Sequence, residues 1–363
     1  MPDSWAPLRR LDAPPSVLTH LGRMKAHSYA LPLLIGAALH LSACASQEVQ
    51  APSSWTDALE SSKEGWLMNI HARAQDERYA VGGRLDQGTL SRFDGESWVE
   101  VDLGVEVPLL NWIHSDSSGD MVAVGRDGIA LHREEGLWRV VSTPTSQTLW
   151  GVWGSDHDDL WAVGGDARIS DTHRALVLRW DGVSWTEVTL PETSATSEVY
   201  AWFKVWGSAP NDVYLVGQQG ALMHWDGAEW THHELGIDTD LIAVWGLDGA
   251  HVALVGGRNN GVVARWDGVD WLVRDMAPMP GLNGVWMRDP GVIHVAGNYG
   301  TLARLDFATL ETLDESVVDT MDDFHALHGA PEGVLTAVGG NLLSQGAVGF
   351  RGVAYHRALQ EGE

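Results

Sequence analysis

A repeat that occurs seven times along the chain predicts an all-β fold, a seven-bladed β-propeller of four-stranded antiparallel blades. Each copy has a small-residue strand that ends in glycine, and these glycines are spaced by 39 to 53 residues, about the length of one blade. They are Gly82, Gly125, Gly164, Gly217, Gly256, Gly297 and Gly339. Because a lone four-stranded sheet exposes both faces, we expect the copies to stack in a closed ring.

The fourth copy shows the four strands of the unit most clearly. Residues 201–207, 213–217 and 221–225, and the segment that begins at Trp230, are each short and rich in Val, Leu, Trp and Tyr. Asn-Asp, Gly-Gln-Gln-Gly and Asp-Gly turns separate them, and these residues tolerate positive φ or cap their own backbone. Turns this close together predict antiparallel hairpins and leave no room for a helix of ordinary length.

A large planar side chain occupies the same position of every copy, eleven residues before the strand-ending glycine. The seven residues are His71, His114, Trp153, Trp206, Trp245, Trp286 and His328. Side chains of the innermost strand point toward neighbouring blades, so we interpret this set as packing between adjacent sheets.

A second set of tryptophans follows the outer turn and opens the fourth strand. Its members are Trp98, Trp138, Trp185, Trp230 and Trp271. The sixth copy departs from the pattern, because residues 306–310 contain neither the glycine nor the tryptophan. We expect a looser or different outer turn in that blade.

Two segments compete to close the ring. Tyr355 lies where the third copy has Trp185, and Trp55 lies 16 residues before His71, as Trp98 lies 16 before His114. A C-terminal hairpin is local in sequence and costs less entropy to close. We therefore expect residues 353–359 to complete the seventh blade, with the segment around Trp55 packed beside it.

The repeat resembles propeller repeats of known families. The turns at Asp94 to Trp98 and Asp181 to Trp185 resemble the Asp-box of sialidase-type propellers, although they are one residue shorter between Asp and Gly. From Trp66 to about Leu359 the repeat is similar to the Trp-Gly and Asp-Gly repeats of secreted bacterial lipoproteins, and more distantly to photosystem II assembly-factor propellers. The resemblance implies the fold and does not identify an activity, because propellers carry many unrelated functions.

The N-terminal region resembles a bacterial lipoprotein signal. A basic start at Met24-Lys25 precedes an apolar stretch over residues 30–41 and then Leu-Ser-Ala-Cys44, a lipobox pattern. The resemblance implies a signal region over residues 1–43 with its true start at Met24, lipidation of Cys44, a flexible tether over 44–62 and the propeller over 63–360. It also implies an outer membrane-anchored lipoprotein in the cell envelope, periplasmic or surface-exposed.

Composition limits the classes of partner. The formal net charge is −26, and only Lys63 and Lys204 follow Cys44 as lysines. Nucleic-acid backbones and anionic lipid head groups require clustered Lys and Arg, so we expect no nucleic-acid partner. Cys44 is the only cysteine, which excludes an intramolecular disulfide.

The sequence contains no recognisable catalytic constellation. A sialidase-like site needs an arginine cluster, a tyrosine nucleophile with a glutamate and an acid/base aspartate, and none can be assembled. His71, His114 and His328 fall on neighbouring blades and could ligate a transition metal. The alternative is that each histidine fills space between blades, and we expect no cofactor.

Loop length indicates a binding surface. The second turns of blades one, three and seven are extended and lie on one rim, where recognition residues concentrate on a rigid scaffold. The candidate residues are Arg84, Asp86, Asp166, Arg168, Asp171 and Asn341. The sequence thus predicts a non-catalytic binding or assembly module for protein or glycan, with a carbohydrate-active or metal-dependent hydrolase in the central channel as the alternative.

Overall fold

Seven four-stranded antiparallel sheets form the blades of the propeller, as the repeat predicts. The computed structural model describes residues 54–61, 65–116, 118–166, 174–192, 198–316, 318–330, 333–341 and 351–359. The innermost strands of consecutive blades contact one another, and the first contacts the seventh, so the ring is closed. The predicted signal region and Cys44 lie outside the described residues.

Each blade consists of strands consecutive in the chain, except the seventh. Blades one to three are β2 (Trp66–Ala74), β3 (Glu77–Arg84), β4 (Gln87–Phe93), β5 (Trp98–Glu100); β6 (Leu110–Ser115), β7 (Met121–Gly125), β8 (Ala130–Glu134), β9 (Leu137–Val141); and β10 (Leu149–Asp156), β11 (Asp159–Gly164), β12 (Leu176–Trp180), β13 (Trp185–Glu187). Blades four and five are β14 (Trp202–Ala209), β15 (Asp212–Gly217), β16 (Leu222–Trp225), β17 (Trp230–His232); and β18 (Leu241–Asp248), β19 (His251–Gly256), β20 (Asn260–Trp266), β21 (Trp271–Pro280). Blades six and seven are β22 (Leu282–Trp286), β23 (Val292–Gly297), β24 (Leu302–Asp306), β25 (Thr312–Ser316); and β26 (Asp323–Gly329), β27 (Val334–Gly340), β28 (Gly352–Ala358), β1 (Thr56–Ser61).

Short 3₁₀ turns join the second and third strands in blades two, four and six. They span Arg126–Gly128, Gln218–Gly220 and Asn298–Gly300. Within the part of the chain that the structure describes, no helix has the length and apolar character of a membrane span.

The N-terminal strand closes the ring, which corrects the expectation that residues 353–359 complete the seventh blade. Strand β1 pairs directly with β28, with Thr56 opposite His356 and Asp57 opposite Tyr355. The outer edge of β28 would otherwise present unpaired backbone groups, and β1 covers that edge. Residues 56–61 therefore belong to the propeller and not to the predicted tether.

The planar residues of the innermost strands pack between blades, as predicted. We call His71, His114, Trp153, Trp206, Trp245, Trp286 and His328 the aromatic layer. Trp153 lies against Gly207 of blade four, and Trp286 lies against Gly329 of blade seven, where a Cβ atom would overlap the indole. Trp153, Trp206 and Trp286 thus fit into space that a glycine leaves on the next blade.

The outer turns are held by aspartate side chains. Asp94 Oδ1 accepts hydrogen bonds from the N–H groups of Glu96 and Ser97, and Asp181 Oδ1 accepts them from Val183 and Ser184. These bonds satisfy backbone donors that the tight turn exposes.

Blade six has a different outer turn, as its sequence predicts. Leu310 has a φ of 57°, Asp306 Oδ1 accepts the N–H of Thr309, and Phe307 and Leu310 are buried in place of the missing tryptophan. The apolar contact that tryptophan makes in other blades is therefore supplied here by the turn itself.

Candidate binding site at the channel mouth

A β-bulge occurs at the same place in every innermost strand, three residues before the member of the aromatic layer. The bulged residues form what we call the bulge ring: Met68, Asn111, Trp150, Phe203, Ile242, Asn283 and His325. In a regular strand, residues three apart point to opposite faces. The bulge adds one residue, and so directs these side chains into the channel.

The bulge ring lines a cavity of about 430 Å³ at one end of the channel. The register pairs Leu67 with Gly82, so the innermost strands begin at the end where the second strands finish. Gly257, Arg258 and Asn298, from the turns after β19 and β23, also line the cavity. We call this end the channel mouth, and a cavity of this size can accommodate a small ligand or a peptide side chain.

Lys204 is the only lysine among the described residues, and it lies in this cavity. Its Nζ donates a hydrogen bond to the carbonyl oxygen of Trp150 at 2.9 Å and lies 4.3 Å from the ring centroid of Trp112. Burial away from water lowers the pKa of its amine to about 7.

The other polar groups of the mouth are mostly held by the protein. Asn283 Nδ2 donates to Asn298 Oδ1 at 2.8 Å and to the Phe324 carbonyl at 2.9 Å. Arg258 forms an ion pair with Asp240 at the rim. These contacts fix the shape of the mouth before any ligand enters.

Two polar atoms of the mouth lack a partner among the described residues. They are Asn111 Oδ1 and His325 Nε2, and both are buried. Burial and the charge of Lys204 lower the pKa of His325 to about 4, so its imidazole is neutral at neutral pH. An acceptor and an imidazole nitrogen of residues that line the mouth therefore have unused hydrogen-bonding capacity.

The comparisons with known proteins bear on the fold. The chain is similar in structure to two solved β-propellers. The WD40 β-propeller domain of Doa1 has a TM-score of 0.64 at 10% identity, over 84% of this chain and 97% of that chain. YCF48 bound to D1 peptide has a TM-score of 0.59 at 12% identity, over 86% of this chain and 100% of that chain. No family model and no curated protein matches the sequence.

The three histidines predicted to be neighbours do lie side by side, in the aromatic layer. The ring centroids of His71 and His114 are 5.7 Å apart, and those of His71 and His328 are 4.7 Å apart. Burial and the neighbouring imidazoles lower the pKa of His71 well below its usual value, and burial lowers those of His114 and His328 to about 4. All three are therefore neutral at neutral pH.

Backbone contacts occupy two of these imidazoles. The N–H of Ala72 donates to His328 Nδ1 at 3.1 Å, which uses the lone pair that a metal would need. His114 Nε2 donates to the Gly154 carbonyl at 2.9 Å. These hydrogen bonds are typical of histidines that fill space between blades, and metal binding by the three histidines stays a prediction.

Among the described residues, the groups that bring three possible metal ligands within 4.8 Å of one another lie elsewhere. They are Asp116 with Asp120 and His157, and Asp156 with His157 and Asp158. Both groups are mainly exposed, and Asp116 Oδ1 and Asp156 Oδ1 already accept hydrogen bonds from turn N–H groups. Their geometry is that of polar surface turns.

The four predicted rim residues that the structure describes lie at the same end of the propeller as the mouth but do not line its cavity. Arg84 ends β3, Asp86 follows it, Asp166 follows blade three's second strand and Asn341 follows β27. Arg168 and Asp171 lie outside the described residues. Their role in binding stays a prediction.

Sequence reasoning missed both the bulge ring and Lys204. The members of the ring share a position, fourteen residues before the strand-ending glycines, but no residue type. In a regular strand, the alternation of side chains would direct these residues away from the channel. Only the bulge turns them toward it.

Proposed function

We propose that this chain is a non-catalytic binding or assembly module for a protein partner, and that the partner inserts a side chain or chain end into the channel mouth. The observation that supports this most is the bulge ring. Seven strands independently direct one side chain each into a single cavity, on a scaffold that is rigid because all its strands are paired. Recognition sites on rigid scaffolds are commonly built in this way.

The comparisons support the same kind of function. YCF48 is similar in fold and was solved with a peptide bound, so a propeller of this shape can bind a polypeptide. The hydrolase alternative receives less support, because Asp323 is the only carboxylate among the described residues that line the mouth. Its Oδ1 accepts the N–H of Tyr299, whereas a glycosidase needs two carboxyl groups facing one substrate.

Site-specific photocrosslinking tests this function. A benzophenone amino acid in place of Ile242, in the mouth, should crosslink a protein partner in the intact cell envelope. The matched control replaces Val269, which belongs to the same blade, is 74% exposed and lies in the outer turn at the opposite end. A protein captured from Val269 but not from Ile242, or capture of glycans alone, would contradict the proposal.

We also propose that Cys44 carries a lipid that anchors the propeller at the outer membrane. The support is the basic, apolar and small-residue order of residues 24–44. Metabolic labelling with a palmitate analogue should mark the protein, and Cys44→Ser should remove the label and release the protein into the soluble fraction. Ser46→Ala is the matched control and should keep both. An unlabelled parent protein would rule out the anchor.

A further inference from the structure

The contacts of Lys204 leave its charge without a counter-ion. Its Nζ has a carbonyl oxygen and the face of an indole as neighbours, and no described residue forms an ion pair with it. A partly buried ammonium is costly unless an anion compensates it. A cationic position in a chain of net charge −26 thus faces a cavity in which no described carboxylate pairs with it.

The carboxylate that lines the same cavity does not act as a counter-ion to Lys204. Asp323 lines the same cavity, but its Oδ1 accepts the Tyr299 N–H, and Asp240 at the rim is paired with Arg258. Among the described residues that line the mouth, Lys204 is therefore the one cation without an ion-pair partner. A single positive charge matches a monoanion better than a doubly charged phosphate, which needs two or more cations.

The other residues that line the cavity indicate the chemistry of the uncharged part of the ligand. Met68, Trp150, Phe203 and Ile242 give the cavity apolar walls. Asn111 Oδ1 can accept a hydrogen bond, and the neutral imidazole of His325 can donate one through Nε2. An apolar body with one carboxylate would satisfy the ammonium and bury its hydrocarbon part in about 430 Å³.

We propose that the channel mouth is a carboxylate-binding site, in which the ammonium of Lys204 pairs with the carboxylate of an apolar ligand. The inference rests on the proposed function and names the chemistry that the mouth recognises. The carboxylate has two possible sources, a free organic acid or the C-terminal end of a peptide, and the experiment separates them.

Calorimetric titration of the purified protein uses two matched pairs of probes. The first pair is 3-phenylpropanoate and 3-phenylpropanamide, and the second is N-acetyl-Leu-Phe as the free acid and as the amide. Each acid should bind about tenfold or more tightly than its amide, because only the acid compensates the buried charge. If both acids bind, a free organic acid is a sufficient ligand. If only the peptide acid binds, the ligand is the C-terminal end of a peptide.

Two variants assign the preference to Lys204. Lys204→Met keeps an apolar chain of similar length and should abolish the preference for acid over amide. Arg139→Gln is the matched control, because Arg139 is exposed, pairs with Glu134 and does not line the mouth, and it should keep the preference. Circular dichroism and a thermal melt show that each variant is folded.

A second readout follows the amine itself. In protein labelled with ¹³C-lysine, the Cε resonance absent from Lys204→Met should titrate near pH 7 in the free protein and at higher pH with the acid bound. Equal binding of acid and amide would overturn the carboxylate assignment while leaving a binding module intact. Failure of every acid at millimolar concentration would overturn it too, and photocrosslinking at Ile242 would still decide the function.

Discussion

The two halves of the aromatic layer solve the same packing problem differently. In blades three to six, the tryptophan sector, Trp153, Trp206 and Trp286 each lie on a glycine of the next blade. In blades seven, one and two, the histidine sector, His328 and His114 instead hydrogen-bond the backbone of the next blade. The first half joins blades by shape and the second by polar contacts.

Trp245 is the tryptophan of the layer that does not lie on a glycine. The next blade presents the buried Met287 to it instead of a glycine. The indole Nε1 donates to the Met287 carbonyl at 3.1 Å, and the ring reaches His328 at a centroid distance of 5.0 Å. Trp245, which faces a side chain, thus makes a polar contact, whereas Trp153, Trp206 and Trp286 pack on a glycine.

Removing one inter-blade contact of the tryptophan sector should give the largest loss in the free energy of unfolding. Trp286→Ala leaves a cavity between blades six and seven and should lower the free energy of unfolding by about 3–5 kcal/mol. Gly329→Ala forces a methyl group into the indole and should cost about 1–3 kcal/mol. In the double variant the methyl group enters the space that the indole has vacated. The loss of unfolding free energy in the double variant, measured by urea denaturation, should therefore be less than the sum of the losses in the two single variants.

The matched control lies in the histidine sector. Ala72 occupies the position of Gly329, and His328 contacts its backbone N–H rather than its α-carbon. Ala72→Gly should cost only about 0.5–1 kcal/mol, the ordinary cost of glycine in a strand, and should add to the cost of His328→Asn. Additive effects of Trp286→Ala and Gly329→Ala would show that the indole and the glycine do not fit together as described.

Much of this architecture could be predicted from the sequence. The spacing of the seven glycines fixes blade number, and the Asp-Gly turns followed by tryptophan mark the outer hairpins, because turn chemistry is local. The neighbourhood of His71, His114 and His328 followed from ring closure alone. These features depend on periodicity, which a single sequence shows directly.

The site and the ring closure depend on non-local geometry. A bulge has no sequence signature here, since Met68, Asn111 and Trp150 share no chemistry. Strand β1 competes with a local hairpin, and the deciding factor is the exposed edge of β28, which the loop-closure argument left out. In the sequence Lys204 contributes only to the count of lysines, because the direction of its side chain depends on the adjacent bulge at Phe203.

The two sectors should also respond differently to acid. Burial lowers the pKa of His328 to about 4, whereas an unfolded chain has a histidine pKa of about 6.5. Between these values the unfolded chain binds a proton that the folded protein does not, so stability is complete above about pH 6.5 and is lost as the pH falls toward 4. Each such histidine contributes up to about 1.4 kcal/mol per pH unit within that window.

Comparing the free energy of unfolding at about pH 7 and about pH 5 tests this difference. His328→Asn keeps an acceptor for the Ala72 N–H and should reduce the loss between the two pH values by about 1–2 kcal/mol. Trp206→Phe, from the other sector, should lower stability equally at both values, because it removes no titrating group. If both variants lost the same stability on acidification as the parent protein, the buried imidazole would not be neutral in the fold. The contrast between the sectors would then be one of shape alone.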